Sequence, residues 1–348
     1  MIPISEQNNT QSSQNMPPRL ALWPMISAYY VPQMIYVVAK LGIADMLKDG
    51  VKNCDELATA TETNAPALYR LMRALASVGI FTEKEQGYFD LTPVAVYLQS
   101  DIPDSIRWAA IMFAEEQYKV WGELMYSIKT GASAFDHVYG MDLYQYLAQN
   151  PEQGEIFHKA MTSIAITRED VALATDYDFS SINILVDIGG GRGSTIAEIL
   201  KANPTMKGIL FDCAPALESA KELIKAAGVL QRCEFTVGDF FESVPSGCDA
   251  YILKRILHDW DDERAIAILK NCHRAMANKG KILVVERLIP LGNESFAGKL
   301  IDLDMLVMTG GIERTEKQCR SLFEAAGFHL TKIGSLQSDM SLIEGIPI

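Results

Sequence analysis

The chain has 348 residues, 49% of them hydrophobic, which allows one large or two ordinary domains with a sizeable core. Its formal net charge of -13 argues against a nucleic-acid or anionic-membrane partner. Six cysteines without C-x-x-C spacing favour reduced thiols of a cytoplasmic protein over a disulfide framework or a zinc site. We expect no signal peptide and no membrane span, because residues 1–18 are polar and the apolar stretch 31–47 is interrupted by charges.

The N-terminal region begins with a tail and continues into an apolar helical pattern. Residues 1–18 are polar, end in two prolines and are predicted to be disordered. Residues 21–47 repeat apolar side chains at helical spacing with little polar face. Such a helix must be buried, and we expect another subunit to cover it.

A winged-helix pattern follows. The sequence predicts a short helix beginning at 54–58, a longer one over 65–78, and a hairpin whose two strands flank a glycine turn. A winged helix either binds DNA through its second helix or serves as an interaction module. That helix carries only Arg70 and Arg73 in an acidic chain, which favours interaction. We therefore assign residues 19–100 to a winged-helix-like interaction domain.

The rest of the chain divides into a helical region and an α/β domain. Residues 101–176 are helical and rich in aromatic and methionine side chains, which predicts a linker that contributes to an apolar substrate pocket. Strands and helices alternate over residues 177–348, which predicts a doubly wound α/β domain. The predicted strands cover residues 184–187, 208–212, 234–237, 250–253, 282–286 and 329–334. Helices between them include residues 194–202, 217–227 and 263–277.

The first predicted strand ends in a glycine turn. Asp187 closes the strand, and Gly189, Gly191 and Gly193 alternate before the next helix begins. This arrangement lets the backbone approach a nucleotide-like ligand closely. The glycines alone do not distinguish one adenosine-containing cofactor from another.

Polar residues end or follow each of the first five predicted strands. They are Asp187, Asp212, Asp239, His258 and Glu286. In an open α/β sheet, ligands bind outside the carboxyl ends of the strands, so these residues are candidates for one site. Asp212 lies at the spacing where a carboxylate reaches ribose hydroxyls.

The residues favour S-adenosylmethionine (SAM) over a nicotinamide dinucleotide. Asp239 can accept a hydrogen bond from an adenine amino group while Phe240 packs on the ring, and Lys254 can meet a carboxylate. Ser194 stands where the dinucleotide fingerprint needs glycine or alanine. Asp187 would repel a pyrophosphate but is favourable near a sulfonium ligand with an ammonium group.

Five motifs occur in an order that resembles a known family. They are residues 185–191, 211–212, 238–241, 253–260 and 310–315. The chain resembles class I SAM-dependent small-molecule O-methyltransferases of the caffeic acid O-methyltransferase type, whose bacterial members modify natural products. The resemblance covers roughly residues 20–345. It implies a Rossmann-like methyltransferase domain, an N-terminal winged-helix dimerisation domain, SAM as cofactor and a homodimer.

The resemblance also implies roles for individual residues. His258 matches the catalytic base, and Glu286 and Glu313 match the acids that flank it. Donor-binding positions match Asp212, Asp239, Phe240 and Lys254, to which the glycine turn adds Asp187, Gly189 and Gly191. The candidate acceptor-binding residues are Phe157, Met161, Asp259 and Met308. Ile164 stands where the family carries a pocket histidine, which weakens inference about the acceptor.

The predicted function is SAM-dependent methylation of a phenolic or enolic hydroxyl on a small aromatic natural product. His258 would take the proton and the flanking glutamates would orient it. No metal is expected, because the acidic residues after His258 are better explained as a helix cap. Alternatives with the same fold are SAM-assisted hydroxylation or decarboxylation and N-methylation, and a further alternative is a DNA-binding regulator.

Overall fold

The computed structural model describes residues 17–102, 104–164, 167–276, 280–336 and 339–348. The described residues form two compact units. The first contains those up to 119 together with 151–164, and the second contains 120–150 and those from 167 onward. The helices between residues 101 and 176 are therefore divided between the units. Most of the predicted tail lies outside the described residues, but Pro18 already begins a helix.

Helices dominate the chain up to residue 164. The elements in chain order are α1 (Pro18–Ile26), α2 (Tyr30–Leu41), α3 (Ile43–Met46), β1 (Lys52–Asn53), α4 (Cys54–Ala60), α5 (Ala65–Ser77), β2 (Phe81–Glu85), β3 (Tyr88–Leu91), a 3-10 turn (Ala95–Leu98), α6 (Arg107–Ala114), α7 (Glu116–Trp121), α8 (Leu124–Thr130), α9 (Ala134–Tyr139), α10 (Leu143–Gln149) and α11 (Pro151–Ile164).

From residue 167 onward helices and strands alternate, as predicted. The elements are α12 (Thr167–Asp176), β4 (Ile184–Ile188), α13 (Ser194–Ala202), β5 (Lys207–Asp212), α14 (Ala214–Ala226), a 3-10 turn (Leu230–Arg232), β6 (Cys233–Val237), β7 (Ala250–Lys254), a 3-10 turn (Leu257–Asp259), α15 (Asp262–Ala275), β8 (Lys281–Glu286), α16 (Gly298–Met308), α17 (Glu316–Ala325), β9 (Phe328–Ser335) and β10 (Ser341–Pro347). Within the described ranges, no helix is both long and apolar enough to span a bilayer.

The predicted helix, turn, helix and hairpin are present in the first unit. Asn64 begins α5, because its side chain accepts a hydrogen bond from Ala67 N at 3.0 Å. Leu68, Met72 and Leu75 recur at helical spacing on α5 and are buried. The two hairpin strands pair antiparallel, and β1 joins them as a third strand.

The expectation of a continuous helical pattern over residues 21–47 is wrong, because three helices occupy it. Residues 27–29 separate α1 from α2, and Gly42 separates α2 from α3 with a left-handed φ of +70°. Within its own unit α1 is also not buried. Trp23 and Met25 are 70% and 72% exposed.

One seven-stranded sheet forms the centre of the second unit, counted over its described residues. The strand order is β6-β5-β4-β7-β8-β10-β9. The first five strands are parallel, and β10 runs antiparallel to both of its neighbours. All six predicted strands are present to within a residue at each end. The sequence did not predict β10, because Gly345 and Pro347 are residues that weaken a strand.

Side chains of the central strands are buried on both faces of the sheet. Leu185 and Ile252 pack on one face with Ile196 of α13. Val186 and Tyr251 pack on the other face, in the core that contains residues of α15 and α17. Each fully buried aliphatic side chain contributes about 1.5–3 kcal/mol. The sheet is therefore a rigid base for the residues at its carboxyl edge.

Candidate active site

The sheet brings the five predicted strand-end residues to one edge. Strands β4 to β8 are parallel, so their carboxyl ends point the same way. Asp187 and Asp212 lie within the ends of β4 and β5, and Glu286 ends β8. Asp239 and His258 follow β6 and β7 in the connecting segments. The structure thus places all five side chains on the side where such sheets bind ligands.

The glycine turn after β4 leaves open space in front of its backbone. Gly189, Gly191 and Gly193 have φ values of +66°, +57° and +77°, which side-chain-bearing residues rarely adopt. A Cβ added at Gly191 would meet no atom within 4 Å. A Cβ added at Gly190 would instead lie 2.5 Å from the Asp187 carboxyl oxygen Oδ2. The turn therefore packs closely against β4 on one side and offers room for a ligand on the other.

Asp212 and Asp239 are held by backbone amides beside this turn. Asp212 Oδ2 accepts a hydrogen bond from Gly191 N at 2.8 Å, and its Oδ1 accepts one from Cys213 N at 2.7 Å. Asp239 Oδ1 accepts from Phe241 N at 2.8 Å. The Phe240 ring lies 3.6 Å from the position that a Cβ of Gly189 would take. The predicted ribose and adenine residues are therefore preorganised around the turn.

Asp187 is buried at the base of the turn. Burial and the neighbouring Asp170 charge raise the pKa of Asp187 to about 7. Lys254, predicted to lie near the cofactor, instead makes a short hydrogen bond with Asp170 Oδ1. Thr195 Oγ1 donates to the same Asp170 oxygen at 2.8 Å. Asp170 thus links α12 to the glycine-turn helix and to the end of β7.

Sequence reasoning did not identify Asp170 or its neighbour Glu169. Glu169 accepts from Arg255 Nη2 at 2.9 Å, and both acids are buried. The available signal was a pair of adjacent acids in a helical region otherwise predicted to line an apolar pocket. Buried carboxylates need cationic or hydrogen-bonding partners, so such a pair indicates a contact with a basic residue.

His258 lies on the 3-10 turn after β7, between three carboxylates. Its Nδ1 is 2.9 Å from Glu313 Oε1 and 3.8 Å from Glu286 Oε2. Its Nε2 is 3.7 Å from Asp259 Oδ1. Burial alone would lower the pKa of His258, but the charges of Glu286, Asp259 and Glu313 overcome this and raise the pKa to about 9.

The two glutamates contact the histidine turn differently. Glu313 Oε1 is within hydrogen-bond distance of the imidazole. Glu286 Oε1 accepts from the backbone N–H groups of Ile256 and Leu257 at 3.0 and 2.9 Å, so it fixes the turn that carries His258. Burial raises the pKa of Glu286 above its usual range.

The motif over residues 310–315 forms the support for this turn. Ile312 N donates to the His258 carbonyl at 2.8 Å. A Cβ at Gly311 would lie 2.0 Å from that same oxygen, so only glycine fits. Arg314 donates from Nη1 to the Leu257 carbonyl at 2.9 Å and from Nη2 to the Trp260 carbonyl at 2.8 Å. The residue types of this motif are therefore required because its backbone lies against the backbone of the turn that carries His258.

The candidate acceptor-binding residues are distributed over both units. Asp259 and the buried Met308 at the end of α16 belong to the unit of His258. Phe157 and Met161 lie on α11 in the first unit, where Phe157 is half-buried and Met161 is 38% exposed. Their part in acceptor binding stays a prediction.

His258, Glu286 and Glu313 could also be considered as metal ligands. One atom from each lies within 4.8 Å of the others. The 2.9 Å separation between His258 Nδ1 and Glu313 Oε1 is that of a hydrogen bond. The contact is therefore explained without a third atom between them.

The fold and this edge together define a class of protein. A Rossmann-like sheet with a glycine turn after β4 and acids after the two following strands is that of the class I SAM-dependent methyltransferases. The open space before Gly191 and the fixed Asp212 carboxylate fit an adenosine-containing donor.

Comparison with known proteins identifies the family. A family model described as an O-methyltransferase domain matches residues 121–329, and one described as an O-methyltransferase dimerisation domain matches residues 23–101. The chain is 44% identical over 328 residues to a phenazine O-methyltransferase of Lysobacter antibioticus, covering 94% of this chain and 96% of that protein. The chain belongs to the O-methyltransferase family and is a SAM-dependent enzyme of it.

Solved structures agree with this assignment. The mitomycin 7-O-methyltransferase superposes with a TM-score of 0.90 at 32% identity, covering 95% of this chain and 98% of that one. An O-methyltransferase from neocarzinostatin biosynthesis, solved with S-adenosylmethionine and 2-hydroxy-5-methyl naphthoic acid, has a TM-score of 0.81 at 30% identity, with coverages of 91% and 96%. The predicted fold class and cofactor are confirmed.

Proposed function

We propose that the acceptor is a phenolic or enolic hydroxyl on a small aromatic natural product and that His258 is the general base. The observation that carries this proposal is the geometry of the imidazole. Glu313 occupies Nδ1 at 2.9 Å, which leaves Nε2 to receive a proton. The relatives support the acceptor class, since their names specify phenazine and mitomycin substrates and one holds a hydroxylated naphthoic acid.

The chemistry required of the protein is one proton transfer and the alignment of two reactants. SAM, when bound, supplies the activated methyl group. His258 Nε2 takes the hydroxyl proton, and Glu313 holds the tautomer and stabilises the imidazolium. The pKa of His258, raised to about 9, lies close to the value of about 10 for a phenol. Proton transfer from a phenol is therefore nearly balanced, whereas an aliphatic alcohol would be a much weaker acid.

The carboxyl edge of the sheet is proposed to hold the donor. Asp212 would bind the ribose hydroxyls, and Asp239 with Phe240 would bind the adenine. The open face of the turn at Gly191 would lie against the amino-acid half of the donor, and Gly189 would hold the turn in place through its hydrogen bond to the Phe211 carbonyl. Asp187 would favour the ammonium group there. Lys254 would lie near the donor and would be held there by its hydrogen bond to Asp170.

The acceptor is proposed to lie on the Nε2 side of His258. Asp259, 3.7 Å from that nitrogen, would contact a polar group of the acceptor. Met308, Phe157 and Met161 would supply apolar contacts to an aromatic ring. We propose that no metal takes part, because Glu313 Oε1 already pairs with His258 Nδ1 and Glu286 Oε1 already accepts from the backbone N–H groups of Ile256 and Leu257.

The dimerisation-domain match indicates a homodimer, and we propose that residues 19–100 form its interface. Within that range, apolar side chains of α1 are exposed in the single chain. They are Leu20, Leu22, Trp23, Met25 and Ile26, each at least 56% exposed. A second copy would cover them. We further propose a cytoplasmic enzyme with no nucleic-acid or membrane partner, for which the six free cysteines and the net charge of -13 are the support.

The experiment transfers labelled methyl from SAM to a panel of hydroxylated aromatics, with aliphatic alcohols for comparison. His258→Ala should lower turnover roughly 10²–10⁴-fold while S-adenosylhomocysteine still binds. His329→Ala, at an exposed position on β9, is the matched control and should keep full turnover. Unchanged turnover in His258→Ala would refute the role. Product mass separates methylation from hydroxylation or decarboxylation, and a gel shift tests for DNA binding.

A further inference from the structure

A tyrosine outside the predicted site contacts the turn that carries His258. Tyr144 lies in the first turn of α10, and its hydroxyl donates to Asp259 Oδ2 at 2.6 Å. Its ring stacks on Trp260, with centroids 5.7 Å apart and planes 27° apart. Tyr144 therefore contacts both residues that directly follow the proposed base.

Both partners in this contact are fixed by other interactions. Asp142 caps α10, since its side chain accepts from Gln145 N at 2.8 Å, which sets the first turn of the helix. Trp260 packs edge-on against Phe241 at 4.8 Å. Tyr144 thus has a defined surface to stack on, and its hydroxyl has a defined position.

The hydroxyl determines which oxygen of Asp259 faces the imidazole. Oδ2 accepts from Tyr144 in a short bond to a carboxylate, a strong class of hydrogen bond. Oδ1 is left 3.7 Å from His258 Nε2. The Asp259 side chain is only 15% exposed, so solvent screens its charge weakly.

We propose that Tyr144 is a positioning residue for methyl transfer, holding the Asp259 carboxylate beside His258 Nε2. The acceptor O–H bond breaks as the N–H bond forms at Nε2, and the positive charge of the imidazolium appears next to Asp259. The Tyr144 hydroxyl keeps its own proton throughout. This inference rests on the proposed role of His258 as base.

The carboxylates around His258 lie near different ring nitrogens, so the effect of Tyr144 through Asp259 can be measured apart from the effects of the two glutamates. Glu313 and Glu286 both approach Nδ1, with Arg287 Nη1 3.7 Å from Glu313. Asp259 approaches Nε2 and is the carboxylate that Tyr144 contacts. Removing the tyrosine hydroxyl should therefore affect His258 only through Asp259.

The test is a double-mutant cycle with Tyr144→Phe and Asp259→Asn. Phenylalanine keeps the stacking ring and removes only the hydroxyl. The pKa of His258 is measured by NMR on labelled histidine with S-adenosylhomocysteine bound, and His258→Ala identifies the resonance. Tyr144→Phe should lower this pKa part of the way to the Asp259→Asn value, and the double variant should match Asp259→Asn. At pH 10, where the imidazole of His258 is mostly neutral, the kcat should fall about 10-fold in Tyr144→Phe while the KM for SAM is unchanged.

The control and the refuting outcomes are defined in the same experiment. His329→Ala, at an exposed position on β9, should leave the pKa of His258 and the kcat at their wild-type values. A wild-type pKa of His258 in Tyr144→Phe, or a further decrease when that change is added to Asp259→Asn, would overturn the inference. If His258→Ala itself keeps full turnover, the proposed base fails. If His258→Ala loses turnover but Tyr144→Phe changes neither the pKa of His258 nor the kcat, His258 stays the proposed base and the positioning role of Tyr144 is refuted.

Discussion

The Glu313→Gln substitution tests the contact at the centre of the proposed mechanism. Glu313 is fully buried and its Oε1 is 2.9 Å from His258 Nδ1. The pKa of His258, about 9 against an ordinary 6.5, corresponds to roughly 3 kcal/mol of net stabilisation of the imidazolium, since one pH unit is worth about 1.4 kcal/mol. Three carboxylates share this effect against the opposing cost of burial, so the loss of one charge should lower the pKa by about one pH unit.

The same substitution also disturbs the tautomer. A glutamine amide can donate to Nδ1, which would place the ring proton on Nε2 and block acceptance of a proton there. We therefore expect kcat to fall roughly 10²–10⁴-fold. Because the neutral imidazole is the active form, the rate of the wild-type enzyme should rise with pH to a midpoint near 9, and the residual rate of Glu313→Gln should have its midpoint near 8.

The assay is labelled methyl transfer at saturating SAM from pH 6 to 10, with single-turnover measurements to isolate the chemical step. Glu316→Gln is the matched control, because Glu316 is 56% exposed and pairs with Arg320. It should leave both kcat and the midpoint unchanged. A Glu313→Gln enzyme within threefold of the wild type at every pH, with an unmoved midpoint, would refute the reasoning.

Three further predictions follow from the site. Gly311→Ala should lower the free energy of unfolding by about 1–3 kcal/mol and reduce turnover, because the new Cβ would lie 2.0 Å from the His258 carbonyl oxygen, whereas Gly334→Ala, where a Cβ meets no atom within 4 Å, should be nearly neutral in denaturant titrations. Asp187→Asn should increase Tm relative to the wild type by about 2–4 °C at pH 7. The Tm difference should widen from pH 5 to 7 and then level off. The Asp187 carboxyl has a pKa of about 7 in the folded protein and a lower pKa in the unfolded chain, so the wild-type protein loses stability as the pH rises between these two values. A constant Tm difference across that range would contradict the assignment of a buried charge. Dialysis against EDTA should leave kcat unchanged, and loss of activity restored by a divalent cation would contradict the metal-free proposal.

The carboxyl edge of the sheet was predictable because short, contiguous stretches of sequence specify it. A strand ending in Asp187 and a glycine turn specify both an element and the side where a ligand can bind, and parallel pairing then brings Asp212 and Asp239 alongside. Glu313 was predictable only from the family motif. It lies 55 residues from His258 in sequence, and nothing in its own segment indicates that contact.

The residues that sequence reasoning missed act through tertiary packing. Tyr144 and Asp170 lie on helices that precede β4, the first strand of the seven-stranded sheet, and each reaches its partner across more than 80 residues of chain. Periodicity places such residues on a helix but does not reveal what that helix packs against. The end of α2 at Gly42 was not predicted, because apolar residues continue on both sides of it. The glycine itself was the only local signal that the helix ends there.

The support of the histidine turn by residues 310–315 has a consequence for how the enzyme is assembled. The elements from β4 to β7 contain the residues proposed for the donor, whereas the carbonyls of His258 and Trp260 find their partners on a segment that is synthesised some 50 residues later. A nascent chain can therefore form the glycine turn before it possesses an oriented base. Methyl transfer becomes possible only when residues 310–315 have packed against the histidine turn, so that activity is a measure of how far the domain has folded.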